Sequence, residues 1–160
     1  MKISDVLSQE LTSCNFPGRS KKRILENIAQ MITSQLGGSD ELCDLLFDNF
    51  VAREKLGSTG LGNGVAIPHC RTPGVKKIYG FLAKLTSPVE FDAIDDKPVD
   101  LIFALVVPQE KNDEHLSTLA RIAAIMQNDG SRQNLRDCDN DEILYNSVID
   151  LERQQKSWDL

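Results

Sequence analysis

The sequence predicts an α/β domain: a small mixed β-sheet flanked by helices on both faces. Three observations carry that prediction. Apolar side chains recur at helical spacing in two stretches before residue 56 and in two more after residue 114. Between them the period shortens, in VAIP, IYGFLAKLT and VDLIFALVVP. The last of these is a nearly continuous apolar run, as in a strand buried on both faces. A length of 160 residues calls for a single domain, residues 1–160, with a core of its own.

In order, residues 3–9 suit a short helix, followed by an irregular stretch through Pro17 and Gly18. Ser20 precedes KKRILENIAQMITSQL, where positions 24, 25, 28, 31, 32 and 36 are apolar and share one face. Gly37-Gly38 ends that helix, because glycine reaches the left-handed conformation of a helix terminus without strain. Ser39, with Asp40 and Glu41 behind it, opens a second helix expected to bury Leu42, Leu45, Leu46, Phe50 and Val51. The tight turn makes the two a hairpin. The strands come next, with a turn-rich SPVEFDAIDDKP between the second and third. The polar segment 109–114 suits the start of a helix from about His115 to Gln127, with positions 116, 119, 120, 123 and 126 on its apolar face. A closing helix over about 140–152 carries Ile143, Leu144, Val148, Ile149 and Leu151, and the tail within 151–160 is expected to fray.

Composition narrows the function. An apolar fraction of 41% and a charged fraction of 26% are those of an ordinary soluble globular protein. No apolar run approaches the ~18 residues of a membrane helix, and the opening residues lack a signal-peptide apolar segment. A cytoplasmic protein without membrane insertion is expected. Eighteen basic residues against 24 acidic ones give a net charge of −6, which argues against nucleic acid as a partner. The basic cluster Arg19, Lys21, Lys22 and Arg23 reads as a solvated face. Cys14, Cys43, Cys70 and Cys138 show no metal-binding spacing and are expected to be reduced.

The chemistry concentrates in STGLGNGVAIPHCRTPGV, residues 58–75, where glycines precede one of only two histidines, His69. Pro68 stiffens the approach to that ring. The second histidine, His115, opens the helix after the most buried strand, so both lie at ends of the strand region, where ligand sites form in such sheets. Several readings stand side by side. Each histidine can be structural. Zinc wants three or four ligands, and no local pair is present. A two-histidine phosphoesterase would use two His-x-Ser/Thr units; His115-Leu116-Ser117 fits and His69-Cys70-Arg71 does not. A neutral imidazole can also take a phosphoryl group covalently, given cations and donors placed to meet its oxygens.

The run from Glu54 through LGSTGLGNGVAIPH to Cys70 resembles the phosphorylation-site signature of the mannitol/fructose-type IIA proteins of the bacterial phosphotransferase system. FDAIDDKPVDLIFALVVP, HLSTLARIA and DEILYNSVID extend the similarity to about residues 3–150, and look most like the nitrogen-regulatory branch. The resemblance implies that His69 accepts a phosphoryl group from a phospho-HPr-type carrier. It implies that His115 orients or stabilises that group and that Arg53 contacts its oxygens. Ser58, Thr59, Gly60 and Gly62 become candidate contacts of the transferred group. No metal or cofactor is called for. Targets implied for this branch include potassium-transport or sensor components. Two alternatives remain at this point: a sugar-specific IIA that passes the group to a IIB protein, and a regulator that works by contact alone.

Overall fold

The computed structural model describes residues 1–110 and 114–155. Its axis is the long apolar run, a strand at Val99–Pro108 (β6). Residues Leu101 to Pro108 are all buried. Neighbouring side chains on a strand point to opposite faces, so both faces of the sheet are covered there. On one side β6 pairs antiparallel with β5 (Tyr79–Val89), and β5 pairs parallel with β1 (Thr12–Phe16). On its other side lie β3 (Val65–Ala66) and then β2 (Gly60–Gly62), giving the order β1-β5-β6-β3-β2; β4 (His69–Thr72) also pairs with β6. The sheet is mixed, as expected. Helices α2 (Lys21–Leu36) and α3 (Asp40–Lys55) pack as a hairpin, with α3 over β4. Helices α1 (Ile3–Val6), α4 (Glu114–Met126), α5 (Asp129–Arg136) and α6 (Asp141–Gln154) pack among themselves, α1 against β5 and α6 against β1.

The two helix starts legible in the sequence form as expected. Ser20 Oγ accepts from the Arg23 N–H at 3.1 Å and Ser39 Oγ from Leu42 at 3.4 Å. Gly37 takes φ 64° at the end of α2. No helix among the described residues is long and apolar enough to cross a membrane.

Several expectations need correction. The single strand expected at VAIP is three short ones, and His69 opens β4 rather than trailing a strand. β3 and β4 keep one register along β6, from Val65 opposite Leu101 to Thr72 opposite Pro108. The line breaks at Ile67-Pro68 because Pro68 has no N–H to give the ladder; its carbonyl still accepts from Leu105 at 2.9 Å. The stretch read as irregular before Pro17 is β1, disguised by Asn15, whose φ of 66° bulges the strand between Cys14 and Phe16. The helix expected at 3–9 stops at Val6, and a 3₁₀ turn follows at Gln9–Leu11. Helix α5 went unread because DGSRQNLR offers one large apolar residue, Leu135. Leu45 is exposed on α3, and Ile143 on α6. On α4 the buried stripe is Thr118, Ile122, Ile125 and Met126, while Leu116 and Ala120 face outward. The face expected from apolar spacing and the buried face share only Met126. The polar segment read at 109–114 lies partly outside the described residues, as does the tail beyond Gln155. The part of 151–160 that forms α6 is helical to Gln154, with Leu151 and Glu152 buried, rather than frayed.

The β2–β3 turn turns on Asn63 and Gly64, at φ 58° and 80°, the left-handed pair favoured in two-residue hairpins. Over it lies Arg136, forked onto Asp100 at 2.9 and 2.8 Å and donating to the Asn63 carbonyl at 2.7 Å. A Cβ on Gly64 would stand 2.5 Å from Arg136 Nη2 and 2.7 Å from Asp100 Oδ1. Gly64→Ala is therefore expected to destabilise the protein by ~2 kcal/mol, a fall in Tm of about 4–8 °C in a thermal melt.

Candidate active site

His69 stands half-buried at the start of β4, just past the proline that breaks the strand. Its Nδ1 lies 2.9 Å from the Ile67 carbonyl oxygen. A carbonyl only accepts, so Nδ1 carries the proton of the neutral ring and Nε2 keeps the lone pair. Arg53, in the last turn of α3, donates its Nε–H to that Nε2 at 3.3 Å. Its Nη1 donates to the Gly57 carbonyl at 2.9 Å. Burial pushes the His69 imidazole below its ordinary value; the Ile67 carbonyl opposes this, while the Arg53 guanidinium adds to it. The ring is thus neutral at pH 7, with its free electron pair aimed at a cation.

The α3 side of the site is keyed to β4 by Asn49, one helical turn before Arg53. Its Nδ2 donates to the Arg71 carbonyl and to Thr72 Oγ1, both at 3.2 Å. Asn49 thereby satisfies backbone at the edge of the sheet beside the histidine. It was not singled out in the sequence, although its i,i+4 spacing from Arg53 places both on one helix face. Opposite, His115 in the first turn of α4 lies close enough to influence the charge of His69. Arg53, His69 and His115 border one open cleft of about 530 Å³, together with Leu56, Arg71 and Val107. Three residues far apart in sequence thus meet at one concave place.

The glycine loop also has partners within the chain. Ser58, Thr59, Gly60 and Gly62 are not among the residues lining that cleft. Ser58 Oγ donates to the Phe91 carbonyl at 2.5 Å and accepts from the Gly60 N–H at 3.0 Å. Thr59 is buried and gives its N–H and hydroxyl to the Glu54 carboxylate. A Cβ on Gly60 would stand 2.8 Å from the Cβ of Ala93, so the loop can lie on the 91–96 turn only if that residue is glycine. The small residues serve packing within the chain. Lys21, expected in solvent, is also drawn in: its Nζ lies 2.8 Å from Glu54 Oε1. Cys70 is buried, and burial pushes its thiol up to about 11, so it is no nucleophile at neutral pH. Among the described residues no group of three or more His, Cys, Asp or Glu side chains is placed to hold a metal ion.

Comparison with known proteins bears on this site. The sequence profile of the family described as phosphoenolpyruvate-dependent sugar phosphotransferase system, EIIA 2, matches residues 5–150. A nitrogen regulatory protein of Pseudomonas aeruginosa is 43% identical over 155 residues, covering 97% of this chain and 99% of that one. The nitrogen regulatory protein of Escherichia coli is 39% identical over 153 residues, covering 95% and 92%. Among solved structures, the nitrogen regulatory protein IIA-Ntr of Neisseria meningitidis superposes with a TM-score of 0.83 at 38% identity, covering 91% of this chain and 98% of its own. The IIA mannitol protein of E. coli shares the fold, with a TM-score of 0.72 at 16% identity, covering 89% and 98%.

Proposed function

The chain belongs to the EIIA 2 family of the phosphoenolpyruvate-dependent phosphotransferase system, in its nitrogen-regulatory branch, and on that premise we propose that His69 is the residue it phosphorylates, through Nε2. As a IIA protein it is a phosphotransferase that works through a phosphohistidine and exchanges the group with an HPr-like carrier. The observation that carries the assignment to His69 is its pair of ring contacts: Nδ1 bound to the Ile67 carbonyl, Nε2 facing Arg53.

The step follows from that geometry. Arg53 swings off Nε2 as the phosphorylated carrier docks, its Nη1 staying on the Gly57 carbonyl. The Nε2 electron pair attacks phosphorus in line; the bond from phosphorus to the carrier breaks, and that bond's electron pair stays with the carrier. His69 then holds phosphorus on Nε2 and its original proton on Nδ1, so the ring becomes cationic. The Ile67 carbonyl faces that N–H and stabilises the charge. Charge spreads over the three phosphoryl oxygens in such transfers, and fixed cations and donors there lower the barrier most. Arg53 and His115 supply them.

Intact mass after mixing the protein with phosphoenolpyruvate, Enzyme I and an HPr-type carrier tests this: one acid-labile phosphoryl group per chain is expected. No gain would overturn the assignment. The lowered pKa of His69 adds a second expectation. The neutral ring is the nucleophile, so the phosphorylation rate should hold level from pH 8 to the ordinary histidine value of 6.5 and fall only below it. The unfolded chain takes up that proton at higher pH than the folded one, so His69's stability contribution is full above 6.5 and declines as the pH drops further.

Phosphorylation turns a neutral ring into a cationic ring that carries a phosphoryl dianion, a net gain of about one negative charge and three strong acceptor oxygens, which changes the partner surface that is complementary to the cleft. We infer that regulated proteins read this difference, potassium-transport or sensor components among them. The relatives at 39–43% identity are nitrogen regulatory proteins, whereas the likeness to IIA mannitol at 16% is one of fold, which favours regulation over sugar transfer.

A further inference from the structure

A buried carboxylate lies one residue from Arg53. The Glu54 side chain is 6% exposed, and its oxygens face Lys21 and Thr59 rather than the adjacent arginine. Oε1 lies 2.8 Å from Lys21 Nζ and accepts the Thr59 N–H at 3.2 Å, while Oε2 accepts the Thr59 hydroxyl. Lys21 is itself fixed from three directions: by this carboxylate, by the Phe91 carbonyl at 3.3 Å, and by the face of the Phe91 ring, 5.2 Å from its centroid. The same glutamate closes the loop by its backbone, its carbonyl accepting the Gly57 N–H at 3.1 Å.

We propose that Glu54 is a positioning residue for phosphoryl transfer: with Lys21 and Thr59 it fixes the loop whose Gly57 carbonyl holds Arg53 against Nε2 of His69. The proposal rests on His69 being the phosphoryl acceptor. Gly57 stands between the two ends that Glu54 ties down, so its carbonyl, the anchor of Arg53 Nη1, is held in place. The arrangement also settles a competition. A carboxylate beside an arginine normally captures it, because the forked pair is strong. Here both oxygens are taken by Thr59 and the Lys21 ammonium, so the guanidinium is left for the histidine and then for the phosphoryl oxygens. Lys21 further offsets a buried negative charge that would oppose an incoming phosphate dianion.

Three variants test it: Glu54→Gln, which removes the charge, Thr59→Val, which keeps the shape but loses the hydroxyl, and Thr59→Ser, which restores it. The readouts are the phosphorylation rate against the concentration of a phosphorylated HPr-type carrier, and the ¹⁵N resonances of the His69 ring. Misplacing a contact by a fraction of an ångström costs about tenfold or more in rate. Glu54→Gln and Thr59→Val should therefore slow transfer about tenfold at saturating carrier, with half-saturation unchanged because the network lies beneath the docking surface. Their Nε2 resonance should move as the Arg53 bond loosens, and Thr59→Ser should match wild type in both readouts. Wild-type rates in Glu54→Gln and Thr59→Val, or slowing with an unmoved Nε2 resonance, would overturn the proposal. Should Glu54→Gln fail to fold, the two Thr59 variants decide alone. A wild-type protein that takes no phosphoryl group on His69 would overturn the reading beneath it, a result distinct from normal transfer in the variants.

Discussion

His69→Ala is expected to take up no phosphoryl group at all, however much phosphorylated carrier is supplied. The variant removes the atom that forms the bond and leaves His115, whose assigned task is to meet the phosphoryl oxygens and not phosphorus. Cys70 is the nearest thiol, but burial holds it protonated and its Sγ lies 3.4 Å from Thr72 Oγ1. His115→Ala provides the contrast. If His115 only meets phosphoryl oxygens, that variant keeps a slower reaction, down about 10²–10³-fold as for one lost transition-state donor. His69 is half-buried with one backbone bond, so its loss should cost only about 1 kcal/mol of stability. Circular dichroism should show a folded variant. Phosphorylation of His69→Ala at a rate near wild type would move the chemistry to another residue.

Arg53→Met should lower the rate of transfer by about 10²–10³-fold at saturating carrier. The guanidinium does two things at once: Nη1 holds the Gly57 carbonyl and Nε points at the reacting nitrogen. Methionine keeps the stem and loses both. Arg53→Lys should recover only part of the rate, because a single ammonium cannot span anchor and phosphoryl oxygen as the planar fork does. The same variants should move His69 in a known direction. The Arg53 charge helps hold the imidazole below its ordinary value, so Arg53→Met should titrate at higher pH when followed by NMR. A variant as fast as wild type would leave Arg53 with a structural task alone.

What the sequence disclosed, and what it withheld, divides along the range of the interactions involved. Helices α2 and α3 were legible because their caps and glycine ends are written within a few residues of one another. β6 was legible because eight buried residues in a row have few other meanings. The short strands β1, β2 and β4 were not. Each exists through pairing with a strand far along the chain, and Asn15 and Pro68 interrupt the local pattern. The site shows the same division. His69, His115 and Arg53 were named in advance and the fold brings them to one cleft. Lys21 was misread as solvated because its partners, Glu54 and Phe91, are distant in sequence. The sequence offers the glycine loop as a candidate contact of the transferred group. At Gly60 its smallness also answers to Ala93 on the 91–96 turn, which no local pattern could reveal.

One measurement bears most directly on the account: the ¹⁵N–³¹P correlation spectrum of the phosphorylated protein, with histidine rings labelled. The account predicts a single phosphorus coupled to Nε2 of His69, with Nδ1 still protonated toward Ile67. Phosphorus coupled to Nδ1 of His69, or carried by His115, would contradict it.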